Sequence, residues 1–317
     1  MIIVTGGAGF IGSAMLAKLN AKGREDIIVV DSLKSSDKWK NLQGKRFDDY
    51  LDKSEFISKL DCFKSADAII HMGACSSTTE TDADYLMANN FKYSKTLAEW
   101  SKANSVRFIY ASSAATYGSG EKGYCDNEIY GLKPLNMYGY SKQLMDEYLV
   151  KSGLYKHCVG FKFFNVFGPN EYHKGEMKSV VYKAYHQILK EGKVSLFKSY
   201  QDEYGDGEQM RDFIYVKDVV DVMYKFLEQK DWFGIFNLGT GKAKSWNELV
   251  SAVFRAMNLP ETIDYIEMPD YLKAKYQYFT EADMSNLTAV DNFQFSELQS
   301  GVTDYVQNYL MQPNSYL

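Results

Sequence analysis

Short runs of aliphatic and β-branched residues alternate with longer amphipathic stretches through the first half of the chain. Ile2-Ile3-Val4 predicts a strand, a helical pattern runs from Ile11 to Leu19, and Ile27-Ile28-Val29-Val30 predicts a second strand ending at Asp31. Ala68-Ile69-Ile70 follows, then a helical stretch near 84–103, then Arg107-Phe108-Ile109-Tyr110-Ala111. Another helix is expected over about 138–151, before a strand over 159–164. Apolar strands interleaved with helices mean crossover connections and a parallel sheet covered on both faces. The expected class is α/β, a doubly wound parallel sheet.

After Phe164 the pattern loosens. Residues 165–207 are polar and punctuated by glycine, and 199–208 read as an exposed loop. A strand is expected over Arg211–Val216, a helix from Val219 to about Glu228, and a strand over Ile235–Leu238. The expected organisation is one lobe of residues 1–164 plus about 211–238, and a smaller mixed α/β lobe of 165–210 and about 239–317. In open α/β sheets ligands bind at the carboxyl ends of the strands, so the smaller lobe is expected to pack there and hold the substrate.

Composition narrows the picture by exclusion. Lys and Arg total 36 against 41 Asp and Glu, a net charge of −5. That balance argues against a dedicated nucleic-acid binder, which normally carries a basic excess, while small anions held by a few local groups stay open. No apolar run approaches the ~20 residues of a membrane span. Met1-Ile-Ile-Val4 runs into Thr5-Gly6-Gly7 without a basic leader, so the expectation is an unexported, cytoplasmic protein. Cys62, Cys75, Cys125 and Cys158 are widely spaced and read as reduced thiols, and the four histidines lack metal-ligand spacing.

Gly6, Gly7, Gly9 and Gly12 sit between a predicted strand and a predicted helix. A missing Cβ lets backbone approach a pyrophosphate, and the N–H groups opening the helix hold the anion. Asp31 ends the next strand about twenty residues on, as the dinucleotide fingerprint of a Rossmann-type fold requires. An acid there normally accepts ribose hydroxyls and favours NAD. Lys34, Lys38 and Lys53 follow, and basic residues in that region can hold a 2′-phosphate, so these residues leave NAD and NADP open.

A second constellation carries the chemistry. Tyr138 and Lys142 stand four apart on one face of a predicted helix, and Ser112-Ser113 end a predicted strand ahead of Tyr117-Gly118. Tyrosine, with an ordinary pKa of about 10, is a poor base at neutral pH. A neighbouring ammonium and a nicotinamide charge stabilise the phenolate, and a serine hydroxyl positions the substrate oxygen. Among 25 tyrosines the Tyr-x-x-x-Lys spacing alone means little. Glycine loop, serine strand end and Tyr–Lys pair in that order mean more.

These motifs resemble the extended short-chain dehydrogenases/reductases of the nucleotide-sugar epimerase and dehydratase group. The likeness runs through Thr5-Gly-Gly-Ala-Gly-Phe-Ile-Gly12, Ser112–Gly118, Tyr138–Lys142, Arg211-Asp-Phe-Ile-Tyr-Val216 and Phe236-Asn-Leu-Gly-Thr-Gly241. Narrower segments are similar to the ADP-heptose 6-epimerase branch: His71-Met-Gly-Ala-Cys-Ser-Ser-Thr-Thr-Glu80, Pro134-Leu-Asn-Met-Tyr138, Phe164-Asn-Val-Phe-Gly-Pro169 with His173-Lys174-Gly175, and Tyr276-Gln-Tyr-Phe-Thr280. The resemblance implies a redox-neutral inversion at carbon six of an ADP-heptose, NADP held tightly with Lys38 and Lys53 as compensating charges, and a homo-oligomer, pentameric by family likeness. Tyr138 would remove the hydroxyl proton, Lys142 and Ser113 would assist it, and Lys174 would be the second acid–base group. The alternative for Lys174 is a phosphate contact or a loop charge.

By the same resemblance Gly6, Gly9, Phe10, Ile11, Gly12, Asp31, Ser32, Lys38, Lys53, Met72, Gly73, Ala74, Cys75, Ser76, Asn89, Lys142, Val166 and Lys174 would line the cofactor. Ser113, Asn165, Glu176, Lys183, Phe197, Lys198, Ser199, Tyr200, Arg211 and Tyr276 would face the sugar nucleotide. Arg211 suits a pyrophosphate, and its alternative is an ion pair with Asp212 or another acid. Met72 stands where the family commonly has an acid, and Glu176 and Lys183 replace a Ser and a His. Ala114 and Ala115 stand where a dehydratase of the group carries an Asp-Glu pair. Another nucleotide-sugar 4-epimerase or dehydratase of the same fold, or a non-catalytic dinucleotide sensor, stays open as a second reading.

Overall fold

A computed structural model describes residues 1–273 and 276–317. The apolar runs become β1 (Ile2–Thr5), β2 (Ile27–Asp31), β4 (Ala68–His71), β5 (Arg107–Ser113), β6 (Cys158–Phe163) and β7 (Gly234–Leu238). Together with β3 (Asp49–Asp52) they form one parallel sheet in the order β7-β6-β5-β4-β1-β2-β3. Alternation along each strand divides the core. Ile2, Val4, Val29, Ile70, Ile109 and Phe161 pack on one face with helix Val216–Glu228, while Ile3, Val30, Ile69, Phe108 and Tyr110 pack on the other with Leu97, Met145 and Leu149. The strand order reverses between β1 and β4, and the crevice at that switch point is where such sheets bind ligands.

Four expectations are corrected by the structure. β3 reads Asp-Tyr-Leu-Asp, and as an edge strand it needs only Leu51 buried, so no apolar run announces it. The strand expected over Arg211–Val216 is broken at Asp212. Met210–Arg211 pairs antiparallel with Lys244–Ser245, and Phe213–Tyr215 pairs parallel with Asn165–Phe167. Asp212 accepts from the backbone N–H groups of Thr240, Gly241 and Ala282, and the following helix starts at Val216 rather than Val219. The polar stretch after Phe164 contains a helix, Val180–Glu191, and a strand, Val194–Phe197, paired with Ile263–Ile266. The helix expected near 84–103 is three segments, Ala83–Leu86, a π-helical Met87–Lys92, and Tyr93–Ala103.

Candidate active site

The glycine loop is a tight cradle. Gly6 has φ +66°, and a Cβ on it would lie 2.6 Å from Gly73 N; a Cβ on Gly12 would lie 2.1 Å from Gly6 O. No side chain caps the helix Phe10–Ala21 at Gly9, and its first turn carries no acid, so its opening N–H groups face the cleft free to meet an anion. A buried relay fixes the loop opposite. Gly73 N–H donates to Thr5 Oγ1 at 3.2 Å, and Thr5 Oγ1 meets His71 Nδ1 at 2.5 Å. His71 Nε2 lies 2.8 Å from Ser94 Oγ, which itself donates to Asn90 O. With the Ser94 hydrogen so engaged, His71 donates from Nε2 and accepts at Nδ1. Burial drives His71 down to about 3, so it is neutral.

Two adjoining clefts open here, of about 660 and 320 Å³, sharing Gly6, Asp31, Lys38, Gly73, Ala74 and His173. Asp31 is 8% exposed and engaged: it accepts from Ala8 N–H at 2.9 Å and from Lys38 Nζ at 2.5 Å. Lys53, braced by Asn89 Oδ1 at 2.7 Å, lines the smaller cleft with Ser32, Lys34 and Asn89 itself. A dinucleotide therefore fits this chain: a glycine cradle, free helix-opening N–H groups, and cations at the far end.

The larger cleft gathers Tyr138, Lys142, Ser113 and Lys174 from three segments. Asn136 caps the helix Met137–Ser152 by accepting from Gly139 N–H at 2.8 Å, which puts Tyr138 in the first turn and Lys142 four residues on. A Cβ on Gly139 would lie 2.7 Å from Ala115 O, so glycine is what lets this helix abut the turn after Ser113. Lys142 Nζ donates to Ala111 O at 2.8 Å, and burial brings the ammonium down to about 8. Burial pushes the Tyr138 phenol up, with the Ser113 hydroxyl pulling against it. The two adjacent serines divide their roles. Ser112 donates to Asp146 Oδ2 at 2.8 Å in a buried network, whereas Ser113 Oγ accepts from Ala115 N–H at 3.1 Å on the cleft wall.

Lys174 sits with its Nζ 5.4 Å from the Phe10 ring centre, and burial lowers its pKa despite the nearby Glu171. Its loop is stapled to the glycine loop. Asn41 Nδ2 donates to Ala8 O at 2.9 Å and Asn170 O at 3.0 Å, and Asn170 Nδ2 donates to Ser13 Oγ at 2.9 Å. Arg211 is 8% exposed, lies 5.6 and 5.5 Å from the ring centres of Trp246 and Tyr276, and donates to Met210 O and Gln277 O at 2.8 and 2.6 Å. Its anticipated alternative, a pair with Asp212, is not what forms, because Asp212 is occupied by backbone N–H groups. A buried guanidinium with no carboxylate partner among the described residues is free to meet an incoming anion. Among the described residues, Lys38, Lys142, Lys174, Lys178 and Arg211 line the larger cleft against one acid, Asp31.

Gly6, Gly9, Phe10, Ile11, Gly12, Met72, Gly73, Ala74, Ser76, Val166 and Asn165 also line this cleft. Cys75 does not; its N–H donates to Asn90 Oδ1 at 2.8 Å. Glu176 and Lys183 lie outside, paired with each other at 3.5 Å on the surface. Phe197, Lys198, Ser199 and Tyr200 also lie off the cleft lining: Lys198 pairs with Glu267 at 2.7 Å, Tyr200 bonds the same acid, and Ser199 N–H donates to Asp206. Tyr276 reaches the site through Arg211. Lys178, Gln277, Thr280 and Trp246 line the cleft and were not anticipated. Gln277 and Thr280 belong to the quoted segment 276–280, so that signal was available.

Residues 2–239 match the model of the NAD dependent epimerase/dehydratase family. The chain belongs to that family. It is 54% identical, over the full length of both chains, to a protein of Nitratidesulfovibrio vulgaris named ADP-L-glycero-D-manno-heptose-6-epimerase. It is 50% identical, again over both full lengths, to a protein of the same name from Fusobacterium nucleatum. Among solved structures, the Helicobacter pylori enzyme of that name superposes with a TM-score of 0.81 at 29% identity, covering 97% of this chain and 95% of the other. Among the described residues of this family member, no helix is long and apolar enough to cross a membrane.

Proposed function

We propose that the chain is an ADP-L-glycero-D-manno-heptose 6-epimerase, inverting carbon six of ADP-D-glycero-D-manno-heptose through a transient ketone with NADP as resident cofactor. The observation that carries this is one cleft lined by two separate proton-carrying groups, Tyr138 with Lys142 and Lys174, between a dinucleotide cradle and an uncompensated Arg211. An inversion in which the substrate carbonyl is presented in two orientations can use a separate proton acceptor and donor for each, whereas an oxidoreductase working in one direction uses one.

A nicotinamide dinucleotide, when bound, supplies a hydride acceptor that can return the hydride. Tyr138 takes the proton from the substrate hydroxyl, with the Lys142 ammonium favouring its phenolate and Ser113 orienting the oxygen. Lys174, its ammonium lowered by burial, holds or releases a proton for the other presentation. Arg211, between two rings, pairs with the substrate pyrophosphate. Trp246 and Tyr276 exclude water around that pairing. Lys38 and Lys53 favour NADP: Lys38 already neutralises Asp31, and the smaller cleft sets Lys34, Lys38 and Lys53 against that one acid. The same reading carries cytoplasmic work and assembly as a homo-oligomer.

The test is incubation of the purified protein with ADP-D-glycero-D-manno-heptose without added cofactor, following carbon six by NMR. Conversion to an epimer mixture with constant nicotinamide absorbance is the expected result. No conversion, even with NADP or NAD supplied, would overturn the substrate assignment.

A further inference from the structure

Beneath the cleft lies a charged pair that the reaction above does not use. Lys162 on β6 and Asp146 on the helix Met137–Ser152 have no solvent exposure and meet at 2.6 Å. Such a pair is weak evidence for stability, because desolvating two charges offsets most of their attraction. Its connections are more informative. Asp146 Oδ1 accepts from the Tyr110 hydroxyl at 2.5 Å, and Oδ2 accepts from the Ser112 hydroxyl at 2.8 Å. Lys162 also donates to Thr116 Oγ1 at 2.8 Å, and Thr116 donates to the carbonyl of Ser113 at 2.9 Å. Ser113 is thus gripped at its carbonyl through Thr116 and Lys162, and at its preceding residue through Ser112 and Asp146. Lys142, one turn before Asp146, ties the next residue back, Ala111.

We propose that Lys162 is a positioning residue for the Tyr138–Lys142 dyad, holding Ser113 through Thr116 and balancing the Asp146 charge that would otherwise act on the dyad. The inference rests on the roles given above to Tyr138, Lys142 and Ser113.

Few groups among the described residues face the dyad, and Lys174, which shares its cleft, is common to every variant below. Asp146 lies on the same helix, His71 ends β4, and Cys75 comes from the loop after it. Tyr110 and Tyr117 face Asp146 from β5 and the turn beyond, and the Lys162 ammonium lies 5.0 Å from the Tyr117 ring centre. His71 stays neutral and both tyrosines are pushed well up, while Cys75 is common to every variant below, so differences between variants belong to the pair. Asp146 already draws the Lys142 pKa upward against the burial that lowers it.

The decisive experiment titrates the Tyr138 phenol of the holoenzyme by NMR of ring-labelled tyrosine, with Tyr138→Phe identifying the signal, alongside pH profiles of kcat and kcat/KM. Lys162→Met leaves Asp146 unbalanced and should move the Tyr138 titration and the acid limb to higher pH by about one unit. Asp146→Asn leaves Lys162 unbalanced and should move both to lower pH. The neutral pair Asp146→Asn with Lys162→Met keeps the shape of the site, covers failure of either single variant to fold, and should return the titration to within about half a unit of the parent. Thr116→Val cuts the grip on Ser113 without changing charge; kcat should fall about tenfold with KM within about threefold and the titration unmoved. Lys162→Arg should restore the profile. Equal titrations in all variants, or an unchanged kcat in Thr116→Val, would overturn the proposal. Absence of epimerisation in the parent protein would instead count against the substrate reading, since the phenol titration is read without turnover.

Discussion

Replacing Arg211 by Met separates a ligand-binding guanidinium from a structural one. In the free protein the side chain gives two hydrogen bonds to backbone carbonyls and two ring contacts, but it carries a buried charge with no carboxylate beside it among the described residues. Each such charge-assisted hydrogen bond contributes about 1.5–3 kcal/mol net, and burying a cation without a counter-charge costs about several kcal/mol. The two nearly cancel. Met fills the space between Trp246 and Tyr276, so Tm should stay within about 4 °C of the parent, the shift that roughly 1 kcal/mol produces in a domain of 150–250 residues. Binding should behave differently. A bidentate guanidinium–phosphate contact is charge-assisted, and such bonds are worth about 1.5–3 kcal/mol each. Losing one of them raises KM about 10–100-fold, at 1.4 kcal/mol per decade. Steady-state kinetics on the ADP-heptose, with thermal melts with and without ADP, measures both. A Tm loss above about 10 °C with KM unchanged would refute the reasoning and make Arg211 a strut.

Four further outcomes are expected. Gly12→Ala forces a Cβ to 2.1 Å from Gly6 O, so the purified protein should lose its bound nicotinamide, measured by absorbance after denaturation. Tyr138→Phe should keep the dinucleotide yet lose about 10²–10⁴-fold in epimerisation rate, measured by NMR of carbon six. Raising ionic strength from about 50 to 500 mM should raise KM with little change in kcat, because the cleft's excess of cations is screened over about 10 Å at 0.1 M. His71 and His173 are depressed to about 3 and about 4 from 6.5, so the unfolded chain binds more protons across that window. Stability is therefore complete above pH 6.5 and erodes as pH falls towards 3. Urea midpoints at pH 7, 5.5 and 4.5 should fall in that order, less steeply in His173→Asn.

Six of the seven sheet strands were legible because a strand buried on both faces reads as a near-continuous apolar run. β3 was not, since an edge strand with one buried leucine leaves no such trace. The helix Val180–Glu191 does carry its pattern, in Val181, Ala184, Tyr185 and Ile188, but Lys, His and Gln between them masked it. Within the site, the glycine loop, Asp31, Ser113, Tyr138 and Lys142 were readable because spacing along one turn or strand end fixes their neighbourhood, whereas Lys174 was reached only through the family resemblance. What spacing could not give was pairing across long separations. Lys198 and Tyr200 are taken up by Glu267, and Asp212 by backbone groups up to seventy residues away. The close approach at Gly139 was hidden for the same reason, since Ala115 is met only in three dimensions.

The imbalance of charge lining the cleft has a wider consequence. The chain carries −5 overall, and among the described residues the cleft's five cations and one acid amount to +4, which leaves −9 for the rest of the sequence. An anion approaching away from the clefts meets a surface that is net negative on average, and field lines converge on the mouth of a low-dielectric groove. The protein thereby sorts by size as well as by sign. A doubly charged pyrophosphate is small enough to sit wholly inside the attractive region, whereas a polyanion such as nucleic acid must lay most of its length along the repelling exterior. Selectivity among the cell's phosphorylated molecules thus begins in the encounter, before any sugar hydroxyl has been read.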